Sequence, residues 1–131
     1  MAGFTKVNLK QDVDDQGPNF GYEGKIEARM ARVPLELEQS GVSYLRLAPN
    51  FRIPWGHTHK TQEEVYILVG GSMRAKLDDE VVELRPFDAL RVPKDTMRGF
   101  EAGPEGAEMI AVGAPHTGPG DAEVAQDWWG D

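Results

Sequence analysis

The sequence contains no cysteine, which excludes disulfides, thiolate chemistry and zinc or iron–sulfur sites built on cysteine. No apolar run approaches the roughly 20 residues of a membrane span, and Met1–Asn19 lacks the apolar stretch of a signal peptide. Basic residues are few. Lys and Arg number 14 against 22 Asp and Glu, a formal charge of −8 over 131 residues. Such a surface repels phosphate backbones and anionic lipid heads, so neither nucleic acid nor a membrane is an expected partner. A cytoplasmic protein is the expectation. Internal repeats, low-complexity tracts, a nucleotide-type glycine loop and a Ser/His/Asp order are also missing. Helical periodicity is weak throughout, and the best candidate, Pro34–Gln39, is a turn or two at most.

Corners are plentiful. The 15 glycines and 9 prolines exceed average usage. Between them lie short strand-like runs at Ile26–Val33, Val42–Ala48, Glu64–Val69, Ser72–Leu77, Val81–Leu84, Asp88–Val92, Thr96–Glu101 and Glu108–Val112. Ser72–Leu77 alternates, with Met73, Ala75 and Leu77 on one side, as a half-buried strand does. Asp78-Asp79 then makes a tight hairpin to Val81–Leu84. In Glu64–Val69 both faces are apolar: Val65, Ile67 and Val69 on one, Tyr66 and Leu68 on the other. One face fills an interior, and the other needs cover from the N-terminal arm or a second subunit. Strands at this spacing predict an all-β sandwich or closed barrel in one domain. Residues 1–25, polar and glycine-broken, read as an arm with one short strand near Phe4–Leu9. Residues 26–114 read as the barrel, and 115–131 as a tail.

Histidine is also scarce, at three residues, yet two of them form His57-Thr58-His59 with Glu63-Glu64 close behind. On an extended chain residues i and i+2 share a face, so the two imidazoles converge. Lys60-Thr61-Gln62 can then turn the chain and bring a carboxylate from the next strand. Two imidazoles and one carboxylate suit iron(II), manganese, zinc or nickel. A bare pair of this kind is also a common surface feature.

The run His57-Thr58-His59-Lys60-Thr61-Gln62-Glu63-Glu64 followed by Val65-Tyr66-Ile67-Leu68-Val69-Gly70-Gly71 resembles the first motif of the cupin family, H-x-H, three or four residues, Glu, six residues, Gly. Glu64 with Gly71 fits the longer spacing and Glu63 with Gly70 the shorter; Glu64 is preferred, because it shares a strand face with Tyr66 and Leu68. Phe87–Arg98 resembles the second motif, with Pro93 matching. Phe87 replaces its opening Gly, Asp95 stands at a usual Gly, Ala102 at the Asn, and Arg98 at the third metal-binding His. Phe51 stands at the opening Gly of the first motif, where Pro49-Asn50 can make the same turn because Asn tolerates a left-handed backbone. The resemblance runs from about Val42 to Ala114. It implies an all-β double-stranded β-helix (jelly-roll) barrel like the small single-domain cupins, which commonly pair as homodimers.

Arg98 governs what the resemblance implies for function. A guanidinium neither ligates a cation nor loses its proton. Arg98 therefore pairs with Glu64 and leaves the centre without a metal, or swings away from a metal on His57, His59 and Glu64, or clamps an anionic ligand; the bland alternative is an arginine in solvent. It shares a side of Thr96–Glu101 with Phe100, which argues for the interior. The function expected is a small-molecule-binding cupin domain with a degenerate metal site, holding no metal or weakly holding Mn, Fe, Ni or Zn. The alternative is a metal-dependent enzyme, of dioxygenase or isomerase type, acting on a small carboxylate-bearing substrate oriented by Arg98. Trp55 and Tyr66 are candidates to line a pocket beside the histidines. His116 is expected to be exposed in a turn-rich exit segment, and Trp128-Trp129 to dock on the body or on a partner.

Overall fold

Period-two alternation between closely spaced corners yields eight strands in the described residues of the computed structural model, 3–118 and 120–130. Met1, Ala2, Pro119 and Asp131, assigned above to the arm and the tail, lie outside them. The strands are β1 (Ile26–Met30), β2 (Gly41–Leu47), β3 (Gly56–His59), β4 (Glu63–Leu77), β5 (Glu80–Leu84), β6 (Ala89–Val92), β7 (Arg98–Ala114) and β8 (Ala122–Ala125). β4 and β7 form the antiparallel spine, paired from Glu63↔Ala114 to Leu77↔Arg98. β2 and then β1 extend the sheet beyond the C-terminal half of β7. β6 flanks the first half of β4 and β5 the second. β3 meets β7 at His57↔Arg98, and β8 lies along β3. The curled sheet is a jelly-roll β-barrel.

The spine is longer than the sequence suggests. Gly70-Gly71 lies between the runs Glu64–Val69 and Ser72–Leu77, and Gly103-Pro104 with Gly106 between Thr96–Glu101 and Glu108–Val112, where the sequence predicts breaks. Instead β4 and β7 run through these corners, with register shifts between Leu68 and Gly70 and between Gly71 and Met73. A Cβ on Gly71, whose φ is +75°, would lie 2.0 Å from the Gly106 carbonyl oxygen, and Gly106 itself has a φ of +81°. The glycines let both strands bend together as bulges without breaking the ladder.

Other expectations also change. Phe4–Leu9 forms no strand, because its polar neighbours satisfy the backbone locally: Asn8 N–H donates to Asp12 at 2.7 Å, and the N–H groups of Lys10 and Gln11 donate to the Asn8 side chain at 3.0 Å. Such local bonds compete with a ladder. The arm instead buries Val13, bridges Asp15 to Arg29, and makes a 3-10 turn at Gly17–Phe20. Pro34–Gln39 is no helix; Leu35 N–H to Ala31 O at 2.9 Å and Leu37 N–H to Arg32 O at 3.0 Å close a turn around residues 32–36. Two turns dispense with the usual glycine: Asn50 has a φ of 61° and Phe87 a φ of 75°.

Tyr66, Leu68, Met73, Ala75, Phe100 and Met109 fill the interior, as the alternation of Glu64–Val69 and Ser72–Leu77 requires. On the outer face Val65 and Ile67 are half-buried and Val69 is exposed. Trp128 and Trp129 dock on the body. Trp129 Nε1 donates to Ile53 O at 3.1 Å under the Arg52 guanidinium, and Lys76 Nζ sits 4.3 Å over the Trp128 ring. A Cβ on Gly56 or Gly99 would come within 2.6 Å of that ring.

Ion pairs on the barrel set its acid limit. Burial raises the Glu27 pKa, but bonds from Arg46 and Arg29 outweigh it and hold the group below the usual 4.5. Glu101 behaves likewise beneath Arg74 and Arg52. A carboxylate with a lowered folded pKa contributes stability that is complete above its unfolded value and lost as pH falls through the folded one. The melting temperature is therefore expected to begin falling from these groups below about pH 4.5. Calorimetric scans from pH 7 to pH 2 check this, and a melting temperature that rises on acidification through that window would contradict it.

Candidate metal centre and pocket

β3 is extended, so His57 and His59 present their rings on one face, 5.0 Å apart between centroids. The Lys60–Gln62 turn then places Glu64, the second residue of β4, against them. Glu64 Oε1 lies 3.1 Å from His59 Nε2 and 3.6 Å from His57 Nε2. One donor atom from each residue falls within 4.8 Å of the others, and this is the cluster of metal-ligand type found among the described residues. His57, His59 and Glu64 are thus positioned to bind a divalent ion. Glu63, the alternative acid, is exposed.

Arg98 joins the cluster from the first position of β7, as the register His57↔Arg98 dictates. Its side chain is 0% exposed, and Nη1 donates to Glu64 Oε1 at 2.8 Å. Nη2 donates to Pro93 O at 2.7 Å and Thr96 O at 3.0 Å, and Nε donates to Thr96 O at 3.3 Å. The solvent-exposed alternative is excluded. Every guanidinium nitrogen bonds within the chain. The Tyr66 hydroxyl donates to the same Glu64 oxygen, and Gln62 Nε2 donates to Glu64 Oε2 at 2.9 Å. The donor set and its convergence fit a divalent ion, but the carboxylate oxygen closest to both imidazoles already accepts a hydrogen bond from the Arg98 guanidinium.

Electrostatics follow this geometry. Burial alone would raise the Glu64 pKa; bonds with His57, His59 and Tyr66 outweigh it and keep the carboxylate ionised far into acid. Burial pushes the Tyr66 hydroxyl well above its usual value, and the Glu64 charge adds to this. For His59 burial opposes the charged form, yet its bonds to Glu64 and Asp121 win and raise its pKa. A metal ion must displace protons here, so its binding depends on pH.

The cluster lines a cavity of about 480 Å³, within the usual size of small-molecule sites. Ile26, Leu45, Leu47, Ile53 and Met109 give it apolar walls, and Trp55 lines it beside Phe20 and Tyr22. Arg98, Tyr66 and Trp55 all border the cavity. His116 departs from expectation: it is half-buried, its N–H donates to Gln39 O at 2.9 Å, and its ring packs over Gly41. It borders the same cavity.

Two residues escaped the sequence reading. Gln62, read only as part of a turn, is buried on Glu64. Asp121 reaches back from the tail to His59 Nδ1 at 3.0 Å. No local pattern marks Asp121, since its partners lie about sixty residues away.

The sequence pattern of the cupin domain matches residues 43–113, more than half of the chain, and the chain belongs to this family. Solved structures agree on the fold. A cupin protein from Bacteroides fragilis is 23% identical and superposes with a TM-score of 0.72 over 89% of this chain and 88% of its own. The polyketide cyclase RemF from Streptomyces resistomycificus is 22% identical, with a TM-score of 0.71 over 93% and 84%. Streptomyces Pac13, a nucleoside dehydratase seen with uridine, is 16% identical, with a TM-score of 0.73 over 97% and 93%. Comparison with curated proteins gave no match. No helix in the described residues is long and apolar enough to cross a membrane.

Proposed function

We propose that this cupin domain binds a small, largely apolar molecule, and that its divalent-metal site is weakened by Arg98. The observation that carries this reading is the fully buried Arg98 guanidinium 2.8 Å from Glu64 Oε1. Arg98 occupies the position of a third imidazole and neutralises the carboxylate that a cation would need. Because each of its nitrogens already bonds within the chain, Arg98 acts as a lock on Glu64 rather than as a clamp for a ligand anion. Contact with the ligand then falls to the walls, Trp55 above all, and to His57 at the polar end. Tyr66 frames the pocket with its ring while its hydroxyl serves Glu64. A divalent ion admitted here would supply Lewis-acid activation of a ligand oxygen. We place the protein in the cytoplasm.

The test is a thermal-shift screen of cyclic and aromatic alcohols and acids, run in chelator and again with manganese, nickel or zinc. Ligand at about 100 times its Kd contributes roughly 2.7 kcal/mol, a shift of several degrees for a domain of this size. Shifts that persist in chelator are expected. Shifts seen only with metal, on protein that keeps one ion per chain through dialysis, would favour the second reading, a metal-dependent enzyme. That reading draws on the three convergent donor atoms, and both RemF and Pac13 show that this fold carries enzymes.

The same reading includes a homodimer formed through Val65, Ile67 and Val69. The arm buries Val13 and sets Lys10 over Tyr44, while Val69 stays exposed. A specific interface buries about 1,200–2,000 Å², and the repulsion of two −8 chains is screened beyond about 8 Å at physiological salt. Light scattering should give twice the chain mass, falling to one chain in Val65→Lys and Ile67→Glu. A dimer that persists in both folded variants would place the interface elsewhere.

A further inference from the structure

Asp121 sits just before β8, with a side chain only 7% exposed. Its carboxylate gathers three donors from the turn that joins the two halves of the metal centre and faces the ring of His59. Oδ1 accepts from Thr61 N–H at 3.1 Å and from the Thr61 hydroxyl at 2.6 Å. Oδ2 faces His59 Nδ1 at 3.0 Å and accepts from Gln62 N–H at 3.3 Å. Lys60 N–H donates to the Asp121 carbonyl at 2.9 Å, and β8 pairs with β3 from Gly56↔Ala125 to His59↔Ala122.

These contacts determine which His59 nitrogen carries the proton when the ring is neutral. Glu64 Oε1 already accepts from Arg98 and Tyr66, so it does not need a proton from His59. Oδ2 of Asp121 has the single long bond from Gln62 besides the imidazole. The proton therefore belongs on Nδ1, which leaves the Nε2 lone pair directed at the point shared with His57 and Glu64. A carboxylate behind a ligating imidazole fixes tautomer and ring orientation in this way.

We propose that Asp121 is a positioning residue of the His57–His59–Glu64 centre, holding His59 with its neutral-ring proton on Nδ1 and Nε2 turned inward toward Glu64 and His57, and thereby coupling the docking of β8 to occupancy of the centre. The inference rests on the reading above that the centre accepts a divalent ion. Coupling of this kind is reciprocal: what orders the tail favours the ion, and the ion orders the tail.

The experiment compares the full chain with Asp121→Ala and Asp121→Asn. Long-range 1H–15N NMR of the metal-free proteins, at a pH where the ring is neutral, reads the His59 tautomer. The Nδ1–H signature is expected in the unsubstituted protein and its loss in both variants, with far-UV dichroism unchanged. Titration with nickel and zinc should show affinity weakened about 10–100-fold. Saturating nickel should slow amide exchange across Ala122–Ala125 in the unsubstituted protein and not in Asp121→Ala. A His59 ring that keeps its Nδ1–H signature in both variants, or β8 exchange indifferent to the substitutions, would overturn the proposal. Should the unsubstituted protein take up no metal, the weak-site reading fails, and the coupling to occupancy fails with it, while ring signature and metal-free exchange still decide whether Asp121 positions His59. If Asp121→Ala does not fold, Asp121→Asn retains an acceptor for the Thr61 N–H and carries the test.

Discussion

Glu64→Ala is expected to destabilise the protein by about 3–5 kcal/mol, the usual cost of leaving one member of a buried ion pair without its partner. That is a large part of the roughly 5–15 kcal/mol that holds a domain folded. Arg98 is completely buried and cannot shed its charge,, so without Glu64 its cation faces only the Pro93 and Thr96 carbonyls. Gln62 and Tyr66 lose their acceptor at the same time. Arg98→Met should cost less, because Glu64 keeps hydrogen bonds from Tyr66 and Gln62 and the imidazoles remain beside it. The double variant Glu64→Ala with Arg98→Met should recover much of the Glu64→Ala loss, since no unpaired charge remains. Urea unfolding of the four proteins in chelator gives the comparison. A Glu64→Ala midpoint close to that of the unsubstituted chain would mean that solvent reaches Arg98 and that the pair is not structural.

The pair also marks how far the sequence could be read. The facing of the strands was legible because alternation survives in Ser72–Leu77 and because Phe100 sits two residues from Arg98 on the same side. The convergence of His57 and His59 with a carboxylate was legible from the same period of two and a three-residue turn, and the choice of Glu64 from the cupin resemblance and its strand face. The long spine strands were not, because a glycine that terminates a strand and one that bends it through a bulge look alike in sequence; only the near-contact of Gly71 with Gly106 separates them. The absent strand at Phe4–Leu9 reflects Asn8 and Asp12 capturing backbone donors, a competition that apolar alternation does not register. The backbone carbonyls that hold Arg98, and the return of Asp121 to His59, are tertiary facts. They arise where segments distant in sequence meet, and they determine what the centre can bind.

Arg98→His should strengthen binding of manganese, nickel and zinc at least a hundredfold. Position 98 faces His57 across the β3–β7 ladder, so an imidazole there points at the same convergence as the other two. Two effects act together. Unit charges about 4 Å apart interact at roughly 4 kcal/mol for an effective dielectric of 20, and a divalent ion feels twice that repulsion from a guanidinium. The new ring also completes a set of three imidazoles and one carboxylate, and it returns Glu64 Oε1 to the cation. Each tenfold gain corresponds to about 1.4 kcal/mol, so a hundredfold asks for only part of the repulsion removed. Arg98→Gln separates the causes, because it removes the charge without adding an imidazole; its affinity should fall between the other two. Calorimetric titration of the three proteins measures this, with chelator-treated samples melted first to establish that each is folded. Equal affinity in all three would show that Arg98 does not obstruct the centre, and tight binding by the unsubstituted protein would show that His57, His59 and Glu64 suffice while Arg98 moves aside.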